Sequence, residues 1–442
     1  MRLYGEPGNF SGLVDNGGIL RRFQCPWTGQ AVLDRNQLYA ELTGIKPRLK
    51  ARIDRDQGVE QNLAPVRDWF RTVRRPELEA QLEASGVVWP GARPTCDMDR
   101  ADGFRIAGPV DTDDFQSIAG LFGWADGILR RRAVLAVDGS HLVPERGMSL
   151  TLGAIQIGWH LNDPLAGRAE EYQDISLQLS DKYGSAEHNT EFVSQINLAR
   201  SVKECETLLD KALAMAHTPV CFYDNSYIAS FLAYQTDEFR DRYLGALDTL
   251  LTRAEAAQIP VVGYIDASDS RDLVHMYGSA HDQATLDDSD LYGITDAALV
   301  AALLPGWGDR TPLMQCARHD GVSFERGPDF LYGRVGIVYL RLHRRTLPAR
   351  VEIPLWIWER EGLLEEVMDV VRAQVVLGNM SYPRALSRAD RQATLSTADR
   401  RVFYNLVKSW ANQELGQNVT RSAKANSKRV TRPSGTGAAE FG

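Results

Sequence analysis

The chain has 442 residues, 44% hydrophobic and 24% charged, so it is long enough for one large core with appendages. Its formal net charge of −8 excludes a surface that holds nucleic acid by bulk charge alone. Five cysteines without a Cys-x-x-Cys pair, no apolar run of membrane-spanning length and a start with Glu6 and Asp15 among glycines argue against a zinc ribbon, a transmembrane anchor and a signal peptide; they predict a cytoplasmic protein with reduced thiols.

Residues 1 to 30, with Cys25-Pro26-Trp27, read as an irregular lead-in or short hairpin. From Leu33 to about Ser85 the pattern is helix-rich, with Leu38, Leu42, Ile45, Leu49 and Ile53 near heptad spacing and Pro47 interrupting it. Two readings fit this stretch: an antiparallel helical arm that packs on a dimer mate, or an amphipathic helix lying on the core. Val88 to Asp114, rich in glycine, proline and aspartate, predicts a loop with short strands.

Ala133 to Val137 is a short continuous apolar run, the pattern of a strand buried on both faces, and it delivers Asp138 into the turn Asp138-Gly139-Ser140. His141 follows directly and reads as a loop histidine rather than a base or ligand. Ser149 to His160 and Glu171 to Leu179 predict two further strands in a meander. Thr190 to Ala216 predicts a helix whose stripe is Leu198, Val202, Cys205, Leu209 and Ala212, with Glu204 and Glu206 flanking it and Arg200 one turn before Glu204. Val220 to Tyr223 then repeats the first pattern and ends in Asp224-Asn225-Ser226.

Phe231 to Ala257 predicts a second helix and Pro260 to Ala267 a fifth strand, whose terminal Asp266 reads as part of an exposed turn. Residues 270 to 321 have the character of an insertion, with acidic Asp287, Asp288 and Asp290 and a short helix around Ala297 to Leu304. Strands over Gly336 to Leu342 and Ala349 to Trp358 enclose a basic stretch, Arg341, His343, Arg344, Arg345 and Arg350, which reads either as a nucleic-acid contact or as a solvated hairpin tip. Tyr382-Pro383 predicts an extended entry into a helix that carries Asp390 about two turns on. From Gly416 the chain loses hydrophobicity and gains basic residues, the composition of a disordered tail.

If the strands ending at Asp138 and Asp224 are parallel neighbours, their carboxylates lie roughly 5 Å apart. Two anions that close repel by about 4 kcal/mol at an effective dielectric near 20, unless a cation joins them. A carboxylate from the helix between the strands, Glu204 in preference to Glu206, and Asp390 with Tyr382 from the late helix would complete an oxygen-rich site of the kind that suits magnesium or manganese.

Asp138-Gly139-Ser140, the acidic helix, Asp224-Asn225-Ser226 and the late Tyr382-Pro383 with Asp390 resemble, in this order, the NurA nuclease family over roughly residues 125 to 410. The resemblance implies an α/β fold, an RNase H-like mixed sheet flanked by helices, here with an N-terminal helical arm and an insertion. It divides the chain into an N-terminal extension for dimerisation (1–125), a nuclease domain (126–412, with 270–321 inserted) and a basic tail (413–442). It implies a manganese-dependent DNA nuclease, a single-strand endonuclease and 5′-3′ exonuclease. Such a nuclease acts as a homodimer with a HerA-type hexameric ATPase in DNA end resection. Asp138, Glu204 or Glu206, Asp224 and Asp390 would be metal ligands with Tyr382 beside them, and Asp138 would be shared by two Mn2+ or Mg2+ ions about 4 Å apart. Two positions depart from the family pattern: Asn225 stands where glycine is usual, and Asp390 where histidine is frequent.

No phosphate-binding Gly-x-x-x-x-Gly-Lys loop, Gly-x-Ser-x-Gly elbow or His-Glu-x-x-His pair is present. Two alternatives remain beside the nuclease: a catalytically inactive adaptor of a HerA motor on the same fold, and another metal-dependent phosphohydrolase acting on small phosphorylated substrates.

Overall fold

Strands with no polar face need cover on both sides, and the two strands that carry the aspartate motifs receive it. In the computed structural model the described residues are 34–109, 117–144, 150–180, 186–281, 293–318, 331–343, 346–380 and 382–416, excluding the side chains of 54–61 and 186–189. The predicted strands are β2 (Ala133–Leu142), β3 (Leu152–Asp163), β4 (Arg168–Leu179), β5 (Pro219–Tyr223) and β6 (Val261–Ile265). They lie in the order β4-β3-β2-β5-β6, with β2, β5 and β6 parallel and β3 and β4 antiparallel. By order of appearance this is 3-2-1-4-5, the RNase H-like arrangement.

Beyond β6 the sheet continues through β9 (Ala349–Pro354), β8 (Val335–Leu340), β7 (Met314–Ala317) and β1 (Gly91–Pro94), all antiparallel, to nine strands. Helices are α1 (Arg35–Thr72), α2 (Arg75–Ser85), α3 (Ile118–Leu129), α4 (Ala186–Leu213), α5 (Asp237–Ala256), α6 (Asp272–Ala280), α7 (Asp296–Val300), α8 (Trp356–Glu359), α9 (Leu363–Leu377), α10 (Arg384–Ala393) and α11 (Thr397–Leu415). No described helix is long and apolar enough to cross a membrane.

Strand alternation divides the core into two layers. Leu135, Val137, Cys221 and Tyr223 face one cluster with Leu198, Cys205 and Leu209 of α4 and Leu247 and Leu251 of α5. Val134, Ala136, Val220 and Phe222 face the other, with Val367 and Val371 of α9 and Ala385, Leu386 and Ala389 of α10. Each buried Val, Leu or Phe among these contributes about 1.5–3 kcal/mol, so the strand segments that lead to the aspartates are among the best-anchored parts of the fold.

The chain divides into two units, Met1–Gly58 and Val59–Gly442. In the first, the heptad residues Leu38, Leu42, Ile45, Leu49 and Ile53 are exposed. Pro47 lies within α1 and does not end it, contrary to the sequence expectation; a fixed φ is compatible with helix, and the cost is one lost backbone bond.

Five other expectations are corrected. The helix expected over Phe231 to Ala257 begins later, because Thr236 caps α5 by accepting from the Phe239 amide and a 3-10 turn, Ser230–Tyr234, precedes it. Asp138-Gly139-Ser140 forms no turn: β2 runs on through it and through His141, which sits opposite Ile155 rather than in a loop, because β3 pairs with β2 along this whole stretch. Arg350 is buried in β9, and Arg341 donates to the carbonyls of Ala301, Leu304 and Thr346, so neither belongs to a free basic tip. The short helix expected to Leu304 ends at Val300. Arg344, Arg345, the acidic Asp287, Asp288 and Asp290, the lead-in and the tail lie outside the described residues.

Candidate metal centre

The parallel pair β2 and β5 is in register at Val137 and Tyr223, so Asp138 and Asp224 are the next residues on neighbouring strands. Both continue the sheet face of Ala136 and Phe222, which α9 and α10 cover. Asp138 Oδ1 accepts from the Gly139 amide at 2.7 Å.

Helix α10 reaches this spot because the sheet offers it a gap. Across β3, Asp138 pairs with Gly158, where a Cβ would run into the backbone of Ala389, Gln392 and Ala393. Ser140 Oγ donates to the Ala393 carbonyl, and Gln156 Nε2 donates to the Gln392 carbonyl at 2.8 Å. These contacts fasten the C-terminal turn of α10 over β2 and β3 and place the Asp390 carboxylate in the electrostatic field of Asp138 and Asp224.

Tyr382 is aimed by the backbone before it. Asn379 and Met380 both adopt left-handed conformations, with φ of 58° and 56°, and a Cβ on Gly378 would overlap the Tyr382 carbonyl. The ring packs edge-on against Tyr264 with centroids 5.2 Å apart, and its hydroxyl donates to Asp224 Oδ1.

Glu204 comes from the opposite face. It is buried on α4, and its Oε1 occupies the space that a Cβ on Gly139 would fill. Arg200, one turn earlier, donates to Glu204 Oε1 and, at 3.1 Å, to the Gly139 carbonyl. Glu206 is exposed and lines a groove between α4 and α5 with Asp210 and Arg242. Helical phase separates the two glutamates, and only Glu204 is tied to the first motif.

These carboxylates hold protons above their ordinary range. Burial raises Asp138 to about 6; the charges of Asp224 and Asp390 add to this, while the Gly139 amide and Arg200 oppose it. Burial raises Glu204 to about 8, with Arg200 opposing and Asp138 and Asp224 adding. Asp224 is raised by burial and by Asp390 and Asp266, against the Tyr382 hydrogen bond. Tyr382 itself is raised by burial and by the Asp224 charge. His141 is lowered by burial and by Arg200, which favours a neutral imidazole.

Among the described residues no three His, Cys, Asp or Glu side chains already stand as a coordination sphere. Asp138 is turned to Gly139, Glu204 to Arg200 and Asp224 to Tyr382. The donor set nonetheless suits a hard divalent cation: several carboxylates in mutual repulsion, with phenolic and carbonyl oxygens beside them.

Sequence reasoning set Asp266 aside as an exposed turn. It is exposed, yet its charge acts on Asp224 and Tyr382, and the Tyr264 hydroxyl lies 3.5 Å from its Oδ1. The available signal was its strand: β6 is the next parallel neighbour of β5 and ends on the same edge. Gly158 was missed altogether, because nothing local marks a strand glycine as the seat of a distant helix.

No curated protein is significantly similar to the chain. Solved structures similar to it include NurA with manganese (9% identity, TM-score 0.38, covering 64% of this chain and 89% of that one) and NurA bound to dAMP and manganese (12%, 0.33, 64% and 88%). The catalytic domain of human endonuclease V is also similar (16%, 0.28, 62% and 84%). The NurA domain model matches residues 132–395, more than half of the sequence, from the start of β2 to just past α10. That span takes in Asp138, Glu204, Asp224, Tyr382 and Asp390, and the chain belongs to the NurA family.

Proposed function

We propose that the protein is a metal-dependent DNA nuclease whose site is formed by Asp138, Glu204, Asp224 and Asp390 with Tyr382. The observation that carries this reading is the unneutralised charge at one edge of the sheet. Beside burial, the charges of Asp224 and Asp390 raise the proton affinity of Asp138, those of Asp138 and Asp224 raise that of Glu204, and that of Asp390 raises that of Asp224, while the nearby Arg200 guanidinium is already shared between Glu204 and a backbone carbonyl. Two divalent ions of the manganese or magnesium kind, held by these carboxylates, would supply an acidified water and charge neutralisation for in-line phosphodiester cleavage.

The chain's own residues have separable tasks. Asp138, on β2 opposite the glycine that seats α10, would be the shared ligand. Asp224 and Asp390 would divide between the ions on the same face, and Glu204 would reach in beside Gly139. The Tyr382 hydroxyl, released from Asp224 on ion binding, would donate to a phosphate oxygen and fix the strand for attack.

Membership of the family supports the finer reading: single-strand endonuclease and 5′-3′ exonuclease activity in DNA end resection, as a homodimer fed by a HerA-type hexameric ATPase. The net charge of −8 gives an independent reason for a partner, because an acidic surface repels the phosphate backbone and weakens unaided DNA binding. The exposed heptad residues of the first unit support contact with a second copy.

The test is incubation of labelled single- and double-stranded DNA with Mn2+, Mg2+ or EDTA, with and without a HerA-type ATPase. Cleavage that requires metal and is lost by roughly 1,000-fold, about 4 kcal/mol in barrier, in Asp138→Ala is the expected result. No cleavage under any condition would favour the inactive adaptor. Hydrolysis confined to small phosphate esters would favour the phosphohydrolase.

A further inference from the structure

One buried carboxylate within reach of the Asp224 loop is unused by this chemistry. Glu352 lies on β9, two strands away from β5, and is 0% exposed. It accepts from Ser226 Oγ at 2.9 Å on each carboxylate oxygen, from the Tyr227 amide at 2.7 Å and from Arg350 Nε at 2.6 Å. Ser226 and Tyr227 belong to the turn that begins at Asp224.

The turn reaches Glu352 by crossing β6 where that strand has no side chain. A Cβ on Gly263 would stand 3.0 Å from the Asn225 carbonyl oxygen, 3.4 Å from Glu352 Cβ and 3.4 Å from the Tyr227 ring. The other end of the turn is fixed by Tyr227 stacking on Tyr223, the residue before Asp224, with centroids 5.7 Å apart and planes 4° from parallel. Ser226 Oγ also accepts from the Ile228 amide at 2.9 Å, which closes the turn on itself.

We propose that the Ser226–Glu352 contact is a strut that positions Asp224 for cation binding. A carboxylate suits this task for a countable reason: three donors converge on it, and only an acceptor-only group meets an O–H, an amide N–H and a guanidinium N–H together. Its charge is neutralised from behind by Arg350, which also donates to Asp272 Oδ2 at 2.6 Å and to the Tyr339 hydroxyl at 3.1 Å. The strut touches neither substrate nor ion, so Ser226 and Glu352 are positioning residues, and the inference rests on the nuclease reading above.

Mn2+ affinity of the full chain, read by electron paramagnetic resonance, is measured for wild type, Ser226→Ala, Ser226→Thr and Glu352→Gln, together with the melting temperature of EDTA-treated protein. Outer partners of ligating side chains typically change metal affinity by 10- to 100-fold, so Ser226→Ala should raise the Mn2+ Kd by roughly 10-fold, with the hydroxyl-bearing Ser226→Thr near wild type. Glu352→Gln, which puts an amide N–H against a donor, should raise Kd at least as much and serves if Ser226→Ala does not fold. A folded Ser226→Ala or Glu352→Gln that binds Mn2+ as wild type does, even with a lower melting temperature, would overturn the strut and leave the nuclease reading intact. Wild type that binds no Mn2+ would overturn both.

Discussion

Two groups of carboxylates beside one sheet, one buried and the other partly exposed, are treated in opposite ways. Around β9, Asp272 and Glu352 are paired with Arg350 at 2.6 Å each, and Arg318 adds a contact to Asp272 at 3.2 Å. Midway along β2, just past the end of β5 and on the helix over them, Asp138, Asp224 and Asp390 act on one another as like charges. The first group carries its own cations, although burial and the Asp272 charge still raise the neighbouring Asp296 to about 7 against Arg350. The second is a charge arrangement that folding alone leaves unfavourable, and a bound cation would relieve it.

Variants that break this contrast should fall in a definite order. Arg350→Leu removes the cation from the balanced group and strands two buried carboxylates; a loss of about 3–5 kcal/mol in unfolding free energy, measured by denaturant titration, is expected. Asp138→Asn removes a repelled charge from the other group, so the EDTA-treated variant should be more stable than wild type, on the order of 1 kcal/mol at pH 8, while losing cleavage. A destabilised Asp138→Asn would contradict the contrast.

The pH dependence sharpens it. Asp138 and Glu204 titrate in the folded chain at about 6 and about 8, above their unfolded values. Their stabilising contribution is therefore present below about pH 4 and lost as pH rises through 6 and 8. A bound cation competes with those same protons, so the rise in melting temperature given by Mn2+ should be larger at pH 8 than at pH 6. A shift independent of pH would mean that other groups bind the ion. The smallest effect should be Glu206→Ala, within about 0.5 kcal/mol and with cleavage unchanged, because that side chain is exposed on the α4/α5 groove.

Much of the site was legible because its elements carry strong local signals. Ala133 to Val137 and Val220 to Tyr223 are apolar without alternation, and buried parallel strands look like that in any context. The stripe from Leu198 to Ala212 fixed the face of α4, but which glutamate leans toward the sheet depends on a 200° difference in helical phase that borderline positions do not reveal.

The rest depends on partners distant in sequence. Arg350 reads as part of a basic hairpin until its strand is seen to be buried on both faces, although the alternation Arg350-Val351-Glu352 inside an apolar run is the mark of a buried ion pair. The β1–β7 pairing joins Gly91 to Ala317, and the seat of α10 at Gly158 joins β3 to a helix more than two hundred residues on. Neither leaves a local trace.

The central claim is that the acidic edge of β2 and β5 is a cation site. Equilibrium dialysis against Mn2+, with metal content measured on folded wild type and on the Asp138→Asn, Asp224→Asn double variant, tests it most directly. Wild type should retain Mn2+ and the double variant should not. Equal Mn2+ retention by both would contradict the account.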